Sequence, residues 1–143
     1  EAVLCFKQSY QIEPNNQETL AAFGYCAEQA DELGIFADAC EARLKENPDD
    51  NIVRYTLGKT FVKNAIKGKF EPDREWIRTE YFRRAEEHFT TFLTADPDSS
   101  DGNYYMGLIF GMTGRLDEAA NIVVKLKDID SEKSKDLADW INS

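Results

Sequence analysis

The stretch Met106-Gly107-Leu108-Ile109-Phe110-Gly111-Met112-Thr113-Gly114-Arg115-Leu116-Asp117-Glu118-Ala119 decides the fold. An uncharged apolar run ends at a Thr-Gly turn, and a segment mixing charged and apolar residues follows, as expected for two helices joined by a tight connection. Outward from it, Gly24 and Gly58 are 34 residues apart, and so are Pro14 and Pro48. Gly58 to Gly107 and Pro48 to Pro97 are both 49, which is 34 with 15 added. Two independent markers therefore report one period, and a period of about 34 residues means stacked helix-turn-helix units.

Each proline follows a short polar stop and precedes Asn, Asp or Ser, as in Pro14-Asn15-Asn16, Pro48-Asp49-Asp50 and Pro97-Asp98. Proline cannot extend the helix before it, and those side chains cap the helix after it. Between the markers the apolar spacing is helical, with Leu20, Phe23, Gly24 and Ala27 on one face and Ala2, Phe6 and Ser9 on another.

The chain resembles the tetratricopeptide repeat family. Met106-Gly107, Phe110, Gly114, Leu116, Ala119, Val123 and Leu126 match it best. Leu57-Gly58, Phe61, Ala85, Phe89 and Pro97 match an interrupted repeat, and Phe23-Gly24 with Ala27 match a first helix. In 31–47, Phe36, Cys40 and Arg43 stand where the family has small, aromatic and small residues. The resemblance implies an all-α, right-handed superhelical array with a C-terminal capping helix. Its parts are a half repeat at 1–16, a degenerate repeat at 17–50, a repeat with a 15-residue insertion at 51–99, a repeat at 100–130 and the cap at 131–143. Gly24, Gly58 and Gly107 would let paired helices approach closely, as would Ala2, Ala85 and Ala119.

Phe110 to Ala119 is 9 residues and Phe61 to Ala85 is 24, so the insertion falls inside the third hairpin. Trp76, Ile77, Tyr81, Ala85, His88, Phe89 and Phe92 share one apolar face there, which predicts a helix over Pro72 to Thr94 after a break at Lys67-Gly68-Lys69. At the far end, Leu137, Trp140 and Ile141 form the apolar face of the cap.

The 143 residues carry 17 Lys plus Arg against 27 Asp plus Glu, a net charge of −10, which disfavours nucleic-acid or anionic-membrane binding by the whole chain. No apolar run approaches the ~20 residues of a membrane helix, so no membrane insertion is expected. Cys5, Cys26 and Cys40 lack metal-type spacing and read as small core residues, consistent with a reducing, cytoplasmic compartment; an upstream segment is left open. His88 is the only histidine and sits far in sequence from every cysteine, so no catalytic set, metal site or cofactor is expected.

In the family, first helices line a concave groove, and the matching outward residues are Tyr25, Tyr55, Lys59, Lys63, Tyr104, Leu108 and Met112. Aromatic and Met side chains favour protein contact, and Tyr104 to Met112 is apolar all round. A neighbouring hairpin covering the second face would explain that run equally. Family members that hold acidic tails of heat-shock chaperones use Lys, Asn and Arg where this chain has Ala21, Tyr25, Thr56, Asp101 and Tyr105, which disfavours that partner class.

Residues 51–85 carry a net +5 between flanks of −8 and −7. Lys67, Lys69, Arg74 and Arg78 are therefore a candidate secondary contact for an acidic partner, or a surface paired internally with the flanks. The expected function is non-catalytic binding of a protein or peptide. The alternatives are a segment of a scaffold that self-associates through the open half repeat, where Phe6 and Tyr10 lack a partner helix, and an accessory domain of an upstream enzyme.

Overall fold

A computed structural model describes residues 2–67, 73 and 75–143. These residues form eight α-helices: α1 (Ala2–Ile12), α2 (Gln17–Gln29), α3 (Leu33–Glu46), α4 (Asn51–Lys67), α5 (Glu75–Ala95), α6 (Ser100–Met112), α7 (Leu116–Ile129) and α8 (Ser131–Ile141). No strand occurs among the described residues. The chain divides into two compact units, Glu1–Thr60 and Phe61–Ser143, with the boundary inside α4.

The polar residues beside the prolines cap the helices that follow. Asn16 Oδ1 accepts from Thr19 N at 3.1 Å, Asp50 Oδ1 from Val53 N at 3.3 Å and Ser99 Oγ from Gly102 N at 3.1 Å. A second device repeats with them. Arg54 Nη1 donates to the Pro48 carbonyl at 2.6 Å, and Asn103 Nδ2 donates to the Pro97 carbonyl at 2.9 Å. Both residues are nearly buried and lie six positions after their proline, so each satisfies a carbonyl that the helix ladder leaves orphaned.

In the first unit, α1, α2 and α3 pack on one another. Tyr10 meets Phe23 at 6.0 Å between ring centroids, and Phe23 meets Phe36 edge-on at 5.1 Å. Gly24 makes room for that last ring, since a Cβ there would lie 3.1 Å from Phe36 Cζ. Phe36 and Cys40, which depart from the family pattern, are thus fully buried core residues.

Two sequence readings of α1 are corrected here. Tyr10 is covered by α2 and α3 instead of lacking a partner, and Ala2, placed by sequence at a close approach, is exposed. One face of α1 supplies Val3 and Tyr10 to the core, and the helical register then turns Ala2 and Cys5 outward.

In the second unit, α6 packs against α5, α7 and α8, and α7 against α8. At Gly107 a Cβ would overlap Leu137 Cδ2 of α8 and stand 3.1 Å from Ile122 Cγ2 of α7, so the closest approach is to α8. Ala85 and Ala119 are fully buried, as the spacing requires. Phe61 at the end of α4 lies against Tyr81 of α5 at 5.3 Å. Extra length in this pair accounts for most of the insertion: α4 has 17 residues against 13 in α2 and α6, and α5 has 21 against 14 in α3 and α7. The expected helix start at Pro72 and break at Gly68-Lys69 lie outside the described residues. Trp76, assigned to the apolar face, is exposed, and Phe82 is buried on α5 instead.

Candidate binding surface

The sequence-predicted contact residues fall in both units. In the first, α2 turns Ala21 and Tyr25 outward, and Tyr25 is 67% exposed while Leu20, Phe23, Gly24 and Ala27 hold the opposite face in the core. On α4, Tyr55 and Lys59 are half-buried, with Lys59 Nζ 5.9 Å from the Tyr55 ring centroid, at the outer limit of a cation–π contact.

The first unit also holds a hollow of about 250 Å³ that the sequence did not announce. Leu20 and Val53 form its apolar floor, and Asn15, Asn16, Gln17 and Asp50 are polar lining residues. The six-residue spacing could have found it: where Arg54 and Asn103 tie back to their prolines, the position after Pro14 is Leu20, which cannot. Beside it Arg43 bonds Asp50 through Nε at 3.1 Å and Asn15 through Nη2 at 3.0 Å. At this volume the hollow is below the usual range of ligand pockets, roughly 300–1,000 Å³.

In the second unit, Tyr104, Tyr105 and Met112 of α6 are half-buried. Tyr105 stacks on Phe89 at 5.6 Å, and Tyr104 stands nearly perpendicular to Tyr105 at 5.7 Å. Burial raises both phenol pKa values. The Asp136 charge adds to the rise at Tyr104, Asp101 adds to it at Tyr105, and Lys133 opposes it at both. Lys133 itself bridges Asp101 at 3.3 Å and Asp130 at 3.7 Å, which ties α8 to the first turn of α6. Leu108, expected to face the groove, is only 4% exposed and serves packing. The uncharged run has neighbours on more than one side, since Gly107 faces α7 and α8, Gly111 faces Ile141 of α8, and the Tyr105 ring lies on Phe89 of α5.

Lys63, placed with the groove residues, is exposed; of the candidate basic contact, Lys67 is exposed and Arg78 half-buried, while Lys69 and Arg74 lie outside the described residues. Part of the positive charge nearby is answered within α5, where Arg83 bonds Glu80 through two nitrogens at 2.6 and 3.0 Å and Glu87 at 2.6 Å.

His88 is half-buried with its ring parallel to that of Phe61, 6.5 Å between centroids. Among the described residues no three His, Cys, Asp or Glu side chains are grouped to hold a metal, and no helix is long and apolar enough to cross a membrane. The cysteines are free and differ in setting. Cys40 is buried and Cys26 half-buried, but Cys5, read from sequence as a core residue, is exposed. No protein-family model matches the sequence, and no curated protein matches it.

Proposed function

We propose that the chain is a non-catalytic protein-binding module built as a tetratricopeptide-like array, which takes a peptide or helix of a partner mainly by apolar burial. The observation that carries this reading is Tyr25, two-thirds exposed on a helix whose other face is fully committed to the core. A large aromatic held in water without a packing reason is the side chain most often found anchoring interfaces. Tyr104 and Met112 on α6 offer the same chemistry from partly exposed positions. The setting of His88 against Phe61 gives the only imidazole a packing role.

Affinity capture with the wild-type protein and with Tyr25→Ser and Tyr104→Ser variants tests it. A specific partner should be held about 5- to 150-fold more weakly by each variant, corresponding to the ~1–3 kcal/mol of an interface anchor. A bound set retained equally by all three proteins would place the interface elsewhere.

Self-association is a second reading, and it is favoured by one specific observation: no exposed residue of α1 is charged.

A further inference from the structure

We propose that the hollow beside the Pro14 elbow is a socket for one arginine side chain of a partner segment, whose guanidinium is held by the Pro14 carbonyl and the Gln17 side-chain amide. This inference rests on the reading that the chain binds protein segments, and it assigns a contact that neither Tyr25 nor Tyr104 lines.

The elbows at Pro14, Pro48 and Pro97 share one backbone turn. The amide two residues after each proline donates to the carbonyl just before it: Asn16 N to Glu13 O at 3.1 Å, Asp50 N to Asn47 O at 3.2 Å and Ser99 N to Asp96 O at 3.2 Å. The amide six residues after each proline then donates to the carbonyl of the capping residue, Leu20 N to Asn16 O, Arg54 N to Asp50 O and Asn103 N to Ser99 O. Side chains 20, 54 and 103 therefore start from equivalent places relative to their proline carbonyls.

What those carbonyls accept shows the chemistry the elbow selects. Pro48 O takes the Arg54 guanidinium, which also reaches Asn51 Oδ1 at 3.3 Å. Pro97 O takes the Asn103 amide and, from α7, the Lys125 ammonium at 2.7 Å. A cationic N–H donor is thus present at both. Pro14 O receives no donor from any described residue, because Leu20 stops short as a bare aliphatic chain. The hollow lies over Leu20 and is lined by Pro14 and Gln17. Gln17 follows its proline by three residues, as Asn51 follows Pro48, and its exposed side chain is bonded to no described residue. The two acceptors that hold Arg54 at the second elbow therefore have counterparts at the first, where the chain supplies no guanidinium of its own.

Charge and shape select the occupant. Glu13, Glu18 and Asp49 are exposed beside lining residues, and Asp50 is itself in the lining. The two arginines at these elbows are already engaged, Arg43 with Asp50 and Asn15 and Arg54 with Pro48 and Asn51. Residues 1–50 carry a net −8, so the site draws a cation and repels an anion. The floor of Leu20 and Val53 suits an aliphatic stem, the part of a long basic side chain that lies on apolar surface. A hollow of about 250 Å³ is small for a free ligand and suits a single side chain. Arginine is preferred to lysine because a planar fork satisfies two fixed acceptors at once, with charge-assisted bonds stronger than neutral ones.

The probe is acetyl-Ala-Ala-Arg-Ala-Ala-amide, with lysine and norleucine versions as controls, titrated into the isotope-labelled chain and followed by amide chemical shifts. The arginine peptide should shift Gln17 to Leu20 and Ile52 to Val53 and bind with a Kd of ~1–10 mM, as expected of one anchored side chain. The lysine peptide should bind more weakly and the norleucine peptide not at all. Gln17→Lys, at an exposed site and checked for unchanged circular dichroism, should weaken the arginine peptide at least ~tenfold, whereas Gln17→Glu should tighten it about threefold. Shifts absent from these residues, equal binding of the lysine or norleucine peptide, or affinity indifferent to both Gln17 variants would overturn the proposal. Tyr25→Ser and Tyr104→Ser should leave peptide binding unchanged whatever they do to partner capture, so the two readings fail separately.

Discussion

The hairpins α2–α3 and α6–α7 stand 83 residues apart in sequence and turn in the same way. Glu32 N donates to Ala27 O and Arg115 N to Phe110 O, both at 2.8 Å, and in each turn one residue has positive φ, Asp31 at 56° and Gly114 at 81°. They part company over the glycine of their first helix. Gly24 is covered from within its own hairpin by the Phe36 ring, which stands where the second hairpin has Ala119. Gly107 leaves its gap to Ile122 and, more closely, to Leu137 of α8. The large Phe36 has therefore not broken the first hairpin. It fills from inside the space that a following helix fills in the other.

The largest expected effect tests that exchange of roles. Phe36→Ala should cost about 3–5 kcal/mol and Leu137→Ala about 2–5 kcal/mol, the ranges for emptying such buried sites. Hydrogen exchange should localise the first loss to α1–α3 and the second to α6–α8. A loss confined to α8 in both variants would break the comparison.

Adding a single methyl group sharpens it. Gly107→Ala should destabilise by about 1–3 kcal/mol of overpacking, less up to ~1 kcal/mol of helix propensity, because its Cβ would overlap Leu137. Gly24→Ala should cost less, because its Cβ meets the Phe36 ring edge at 3.1 Å and needs the ring to give by only a few tenths of an ångström. Equal shifts in melting temperature would show that the two gaps are equivalent after all.

The turns should respond in opposite directions. Left-handed backbone costs a residue with a Cβ roughly 1 kcal/mol, so Asp31→Gly should stabilise the first hairpin by about that amount and Gly114→Ala should destabilise the second similarly. Urea denaturation of both variants measures the pair.

The smallest effect belongs to alkaline pH. Burial, reinforced by the nearby Asp50 carboxylate, pushes the Tyr10 and Cys40 pKa values well above their ordinary values. Groups with raised folded-state pKa values stabilise below their unfolded values and lose that contribution as pH climbs past them, here above roughly pH 8.5 to 10. The Tyr10 hydroxyl also has no hydrogen-bond partner. Tyr10→Phe should therefore match or exceed wild-type stability at pH 7 and lose less of it by pH 11. A steeper alkaline loss in the variant would contradict this account.

The helices, their caps and the hairpin turns were legible in the sequence because they depend on residues close together: a proline, a capping Asn, Asp or Ser, and a glycine after an apolar run. The assignment of faces was less legible, because it depends on which neighbour covers which side. Leu108 and Tyr10 are buried on helices packed by several neighbours, α6 by α5, α7 and α8 and α1 by α2 and α3, whereas Cys5 and Trp76, expected in the core, are exposed. Of the candidate surface, Tyr25 is exposed on the side of α2 away from Leu20, Phe23, Gly24 and Ala27.

The ties from Arg54 and Asn103 to their proline carbonyls give the joints unequal mechanical character. At Pro48 and Pro97 a directional bond from the following helix must rupture before the elbow opens, whereas the Pro14 elbow has Leu20 in that position and is held by its Asn16 cap and by the bond that Arg43 of α3 donates to Asn15. The Pro14 elbow thus borrows its tie from α3, a helix further along the chain, while the other two joints draw theirs from the helix they lead into.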